Sequence, residues 1–287
     1  MKTIMDLIND IKANKTSGAS ELAIQALQVI KQAAISSNAP DIDNFILELR
    51  KITDFLAECR PSMVTLRNCA HQFNSRLHNY IRMEKTMELM RTHCVETADR
   101  LIAELILNKE RSIQNAADFI HAGSVIATCS YSSTFIEVIH KAAWQDKQIS
   151  VFILKSQSGS MNYGERTKFR LEEYGIDCRI VDDDISQESL NGTDIVLLGS
   201  DSVLSDGSAV NGYPSLKLAS MAAEHISPVP VYIICDSSKI CIDLKPHVIE
   251  AGFDLIPDNL INGIITENGL INGEEITDYL NRHKKES

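Results

Sequence analysis

The sequence predicts a chain in two parts, helical up to about residue 122 and α/β with a mostly parallel sheet from 123 to 287. Two observations carry this. Apolar residues recur at helical spacing through the first part, and after Gly123 they gather into short β-rich runs. Those runs alternate with helical patterns, as strands and crossover helices do in a parallel sheet covered on both faces.

From Ala19, apolar residues fall at Leu22, Ala23, Ala26, Leu27, Ile30 and Ala34, one face of a helix. Asp41 and Asp43 place negative charge where the next helix begins. Its face is Ile42, Phe45, Ile46, Leu49, Ile52, Phe55 and Leu56, and Arg60-Pro61 ends it, because proline disfavours helical geometry in the preceding residue. A shorter helix is expected from Ser62, then a long one over 80–121 with a break near Asn108. The strands expected after it are 124–129, 149–154, 178–182, 194–200, 231–236 and 263–266, with helices over 133–145, 165–174 and 214–225. Gly175 stands where a C-terminal helix cap belongs.

With 287 residues the chain can bury a substantial core, and its 44% apolar content is that of a globular protein. Acidic residues exceed basic ones, 39 to 28, giving a formal charge of −11. That argues against direct nucleic-acid binding over a broad surface. It leaves room for a phosphorylated ligand in a local basic pocket. Seven cysteines without CxxC spacing make neither a zinc ribbon nor a thioredoxin motif. The opening MKTIMDLINDIKANK lacks the apolar core of a signal peptide. No window approaches the ~18 apolar residues of a membrane span. A cytoplasmic protein that uses no membrane is the expectation.

In a parallel sheet, ligands bind beyond the carboxyl ends of the strands, so those ends hold the candidate residues. Cys129, in "IATCSYSS", ends the first strand just before a helix, where amide dipoles favour a thiolate; the alternative is a buried structural cysteine. Ser130, with its neighbours Ser132 and Ser133, offers hydroxyls and amides to a ligand, or a turn and a helix cap. Asp201 is a carboxylate fit to act as a base or hold a hydroxyl, or else a turn residue. The segment 206–212, "DGSAVNG", is a hairpin turn or a loop approaching a ligand. Ser17, Gly18 and Ala19 precede a helix, where free amides make a phosphate cradle, unless Ser17 simply caps it. Arg60 can clamp a phosphate or close a helix. "VDDDI" suggests magnesium or, more often, a solvated turn, and no other group has metal-ligand spacing. There is no GxGxxG, Walker A or GxSxG sequence.

Taken in order along the chain, "SGAS", "RPSMVTLRN", "IATCSYSS", "GSDSVLSDGSAVN", "ICDSSKI" and "FDLIPDNLINGIITENGLI" resemble one family. It comprises the ribose-1,5-bisphosphate isomerases, the methylthioribose-1-phosphate isomerases and the α, β and δ subunits of translation initiation factor 2B. The "RPSM" element and the length look most like the first branch. The resemblance implies a helical N-terminal domain (1–122), a Rossmann-like domain (123–287), and an aldose–ketose isomerase of a sugar 1-phosphate that needs no metal or organic cofactor. It implies Cys129 and Asp201 as the catalytic pair, and phosphate binding by Gly18, Ala19, Arg60, Asn211 and Lys239. It also implies a homodimer, a state for which the apolar run 228–234 with Ile240, Ile242 and Leu244 gives a further motive. The alternative is a non-catalytic regulatory protein of the initiation-factor type that binds a sugar phosphate or nucleotide. Three departures stand out. Gly212 replaces the family's lysine, Ser17 stands where an arginine is common, and 155–160, "KSQSGS", lacks the usual charged pair.

Overall fold

The computed structural model describes residues 2–81, 86–159, 161–241, 249–273, 275–276 and 278–279. Ser160, Ile242 and Leu244, which entered the expectations above, lie outside them. The chain forms two compact units, Met1–Leu107 and Asn108–Ser287.

The first unit is helical: α1 (Ile4–Ala13), α2 (Ala19–Ser36), α3 (Ile42–Glu58), α4 (Val64–Ile81) and the start of α5 (Met87–Phe119). Thr3 and Asp6 close a capping box on α1. The anticipated α2 face is buried throughout. The Asp41 carboxylate accepts the Asn44 amide at 2.8 Å and caps α3. The helix after Arg60-Pro61 is not short: α4 has 18 residues. Leu66, Cys69, Ala70, Phe73 and Leu77 carry its buried stripe on without a breaker. Helix α5 also runs through Asn108 without the expected break. Asparagine inside a helix is only mildly unfavourable, by less than about 0.7 kcal/mol.

The second unit continues with β1 (Val125–Thr128), α6 (Ser133–Trp144), β2 (Ser150–Leu154), β3 (Gln157–Ser158), β4 (Met161–Asn162), α7 (Tyr163–Glu172), β5 (Asp177–Val181) and β6 (Ile195–Gly199). Then come β7 (Ser202–Val203), β8 (Ala209–Gly212), α8 (Ser215–Glu224), β9 (Val231–Ile234), β10 (Phe253–Ile256), β11 (Gly263–Thr266) and β12 (Gly269–Asn272). The main sheet has the order β12-β11-β9-β6-β1-β2-β5 and is parallel except for β12. Alternate residues of each central strand enter opposite cores, Ala127, Phe152 and Leu198 in one and Ile126, Val151 and Leu197 in the other. Both faces are thus covered, the Rossmann-like arrangement. Gly175 takes a φ of 71° just past α7, where a side chain would be strained.

Two expectations change here. The 206–212 segment is a hairpin turn followed by a strand, β8, which pairs with β7 and β10 in a small antiparallel sheet. The apolar run 228–234 is not surplus for an interface. Its 231–234 portion is β9, an interior strand between β6 and β11, so the main sheet itself buries that portion. No helix among the described residues is long and apolar enough to cross a membrane.

Candidate functional site

From β1 the chain proceeds to β2 and β5 on one side, then returns to add β6, β9 and β11 on the other. The switch point lies between β1 and β6, and the carboxyl ends of these two strands lead into Cys129 and Asp201. The Thr128 hydroxyl donates to the Leu197 carbonyl at 2.9 Å and ties the end of β1 to β6.

Cys129 is buried, 3% exposed. Burial pushes its thiol well above the ordinary range, and the carboxylates of Asp254 and Asp183 push the same way. The expectation of a thiolate is therefore reversed: desolvation and two nearby carboxylates outweigh the dipole of α6, and the group stays a protonated thiol. Ser130, next in sequence, has a φ of 59°, rare for a residue with a Cβ. Its amide donates to Ser156 Oγ at 2.7 Å, and its carbonyl accepts from Thr167 Oγ1 at 2.8 Å. Only the Ser130 side chain remains for a ligand. The Ser132 hydroxyl accepts the Phe135 amide at 3.3 Å and caps α6.

Ser156 follows β2, also at positive φ (52°), and is fully buried. Its amide and that of Gln157 donate to the two oxygens of the Asp183 carboxylate, at 2.6 and 2.9 Å. That decides the "VDDDI" question: Asp183 holds a turn, while Asp182 and Asp184 form surface ion pairs with Lys155 and Lys217. Among the described residues no group of three His, Cys, Asp or Glu could hold a metal ion.

Asp201 lies partly exposed after β6, its amide donating to the Val210 carbonyl at 2.8 Å. The preceding Ser200 carbonyl accepts the Lys239 ammonium at 2.8 Å. Lys239 sits in a single 3-10 turn (Ser237–Lys239) capped by Asp236, and is only 5% exposed. Among the described residues no carboxylate pairs with it. A buried cation with no carboxylate beside it among the described residues is costly.

Asn211 is buried in β8, and its side-chain nitrogen is sealed from water with no hydrogen-bond partner among the described residues. Gly212 abuts Ser130: a Cβ added there would stand 2.9 Å from Ser130 Cβ. The absent lysine is thus part of a close backbone approach that brings the end of β8 beside the Cys129–Ser130 turn. Directly across the ladder from Asn211 is Asp254 on β10. Burial raises the pKa of this half-buried carboxyl, although the Leu216 amide at the start of α8 donates to Oδ2 at 3.1 Å. Asp254, within "FDLIP", is not among the residues expected at the site. The signal available was a carboxylate between apolar residues of a strand.

In the first unit, Gly18 is the N-cap of α2 and has no side chain to offer. Ser17 does not cap the helix, contrary to the simpler reading; its amide and hydroxyl are engaged by the Asn14 side chain. Arg60, 6% exposed, donates from Nη1 to the Asn14 carbonyl at 2.5 Å and so braces the same turn. Within each unit the expected residues therefore cluster: Ser17, Gly18, Ala19 and Arg60 in one, and Cys129, Ser130 and Asn211 in the other, with Asp201 and Lys239 together at the end of β6.

A family model described as the initiation factor 2 subunit family matches residues 15–250. Ribose 1,5-bisphosphate isomerase of Haloferax volcanii is 26% identical over 291 residues, covering 93% of this chain and 88% of that protein. Methylthioribose-1-phosphate isomerase of Geobacillus kaustophilus is 24% identical, covering 95% of this chain and 85% of that protein. Among solved structures, the tetrameric eIF2B-beta2-delta2 complex from C. thermophilum has a TM-score of 0.82 over 98% of this chain and 94% of that one. At 17% identity, that last likeness is one of fold.

Proposed function

Because the chain belongs to the initiation factor 2 subunit family, we propose that it is an aldose–ketose isomerase of a sugar 1-phosphate, with Cys129 as acid and Asp201 as base. What supports this reading is that Cys129 and Asp201 follow the carboxyl ends of β1 and β6, the paired strands flanking the switch point, and that burial pushes the Cys129 thiol upward, toward the protonated form an acid needs. Curated relatives named as isomerases of ribose 1,5-bisphosphate and methylthioribose 1-phosphate support the substrate class.

The chemistry balances with these two groups. A C1 phosphate prevents simple opening of the sugar ring, so the C1–O ring bond must break heterolytically. Cys129 gives its proton to the departing ring oxygen, and Asp201 removes the proton from C2 to leave an enol phosphate. Asp201 returns its proton to C1 while the C2 hydroxyl gives its own to the Cys129 thiolate. The product is the ketose 1-phosphate, with both side chains restored. Lys239 compensates phosphate charge, and Ser130 and Asn211 bind the remaining oxygens. A homodimer is part of the same proposal, on the strength of the family.

The test is turnover of a panel of sugar 1-phosphates, including ribose 1,5-bisphosphate and methylthioribose 1-phosphate, followed by NMR. A ketose product in deuterated water supports the reading. Binding without turnover of any member moves the chain to the second reading, a regulatory ligand-binding protein. One observation favours that alternative: the contact between Gly212 and Ser130 leaves no room for a cationic side chain at 212.

A further inference from the structure

Asp254 lies opposite Asn211 in the β8–β10 ladder, and directly opposed residues project from the same face with Cβ atoms about 4.5–5.5 Å apart. The two side chains do not bond to each other. Among the described residues Asn211 Nδ2 is a buried donor without a partner, and Asp254 Oδ1 has none either, since the Leu216 amide uses Oδ2. A second orphaned group, the buried Ser215 hydroxyl, stands one residue before Leu216. Folded proteins rarely leave such groups unpaired unless something else satisfies them. One donor and one acceptor, close enough for a single oxygen to touch both, are complementary to an alcohol, which gives one hydrogen bond and receives another.

We propose that Asp254 and Asn211 clamp one ring or chain hydroxyl of the ligand, Asp254 Oδ1 accepting its proton and Asn211 Nδ2 donating to its oxygen. Asp254 is then the residue that sets sugar specificity, beside the reacting groups but not among them. Two features fit this position. The Gly212–Ser130 contact carries β8 up to the Cys129 turn, and the Asp254 charge acts on the thiol. The inference rests on the reading of the ligand as a phosphorylated sugar.

The experiment measures binding of ribose 1-phosphate, its 2-deoxy and 3-deoxy forms, and inorganic phosphate by calorimetry, to the wild type and to Asp254→Ala and Asp254→Asn. Asparagine retains an oxygen for the Leu216 amide, so that variant keeps the start of α8 capped if alanine unfolds it. The wild type should bind one deoxy sugar on the order of 10- to 100-fold more weakly than ribose 1-phosphate, as expected when a buried donor and the half-buried carboxylate beside it lose their partner. Both variants should lose that preference and bind inorganic phosphate as the wild type does. A preference that survives in Asp254→Asn, or no preference in a wild type that binds all three sugars, overturns the clamp and leaves the sugar-phosphate reading standing. Failure of the wild type to bind any phosphorylated sugar removes both.

Discussion

The Ser156 hydroxyl accepts the amide proton of Ser130 at 2.7 Å, so a residue beyond β2 holds the turn that follows Cys129. Both residues adopt positive φ, and Asp183 in turn braces Ser156. The turn beside the thiol is therefore built from strained backbone secured by side chains of the neighbouring strands.

Replacing Ser156 separates the two effects. Ser156→Ala leaves the buried Ser130 amide unpaired and should lower stability by about 1–3 kcal/mol. Ser156→Gly loses the same bond but relieves a left-handed conformation worth about 1 kcal/mol. Urea unfolding should rank wild type above glycine and glycine above alanine. An alanine variant as stable as wild type would contradict the bracing role.

Cys129→Ser and Asp201→Asn should each reduce turnover by roughly 10²–10⁴-fold while preserving the circular dichroism of the fold. The pH profile adds a sign. An acid must be protonated, and burial has moved this thiol upward, so kcat/KM should stay level through the region near ~8.5 where a free cysteine titrates. A basic limb at that pH, absent from Cys129→Ser, would show that the thiol is not shielded.

Gly212→Lys restores the family's cation in sequence but not in space. Its Cβ would press on Ser130, and overpacking of this kind costs about 1–3 kcal/mol. The simpler Gly212→Ala should be destabilised for the same reason. Adding Ser130→Gly, which removes the opposing Cβ and suits the φ of 59°, should recover most of the loss. Additive effects in that double-mutant cycle would mean the two residues do not touch.

Lys239→Met removes a buried ammonium whose bond here is to a carbonyl. Thermal stability should hold or rise, since a buried charge with no carboxylate beside it among the described residues opposes folding. Phosphate affinity should fall by tenfold or more, as for a charge-assisted hydrogen bond. The opposite pattern, lower stability with unchanged phosphate binding, would assign Lys239 to the scaffold.

The central strands of the main sheet were legible because they are buried on both faces and stand out as β-branched runs: 263–266 was expected and Gly263–Thr266 is found, whereas the half-exposed antiparallel edge strand β12 was not expected. The small sheet was not. Strand β8 carries Asn211 and Gly212 among its four residues, and its pairing with β10 spans the sequence from 209 to 256. Asp254 stayed hidden for that reason, because its relation to Asn211 exists only in the ladder. At Cys129 the helix that favours a thiolate is visible in the sequence, while the burial that opposes it is a tertiary fact.

The central position of β1 has a consequence for synthesis of the chain. One flank of β1 is paired as soon as β2 emerges, but the other waits for β6, from Thr128 until Ile195 has been made. At about 5–20 residues per second that interval is several seconds. During it Val125, Ile126 and Ala127 form the bare margin of a half-built sheet, a surface that a second nascent chain can join. A ribosome that stalls over residues 129–194 prolongs that exposure, so the yield of native protein should depend on codon usage there more than in the region encoding β11 and β12.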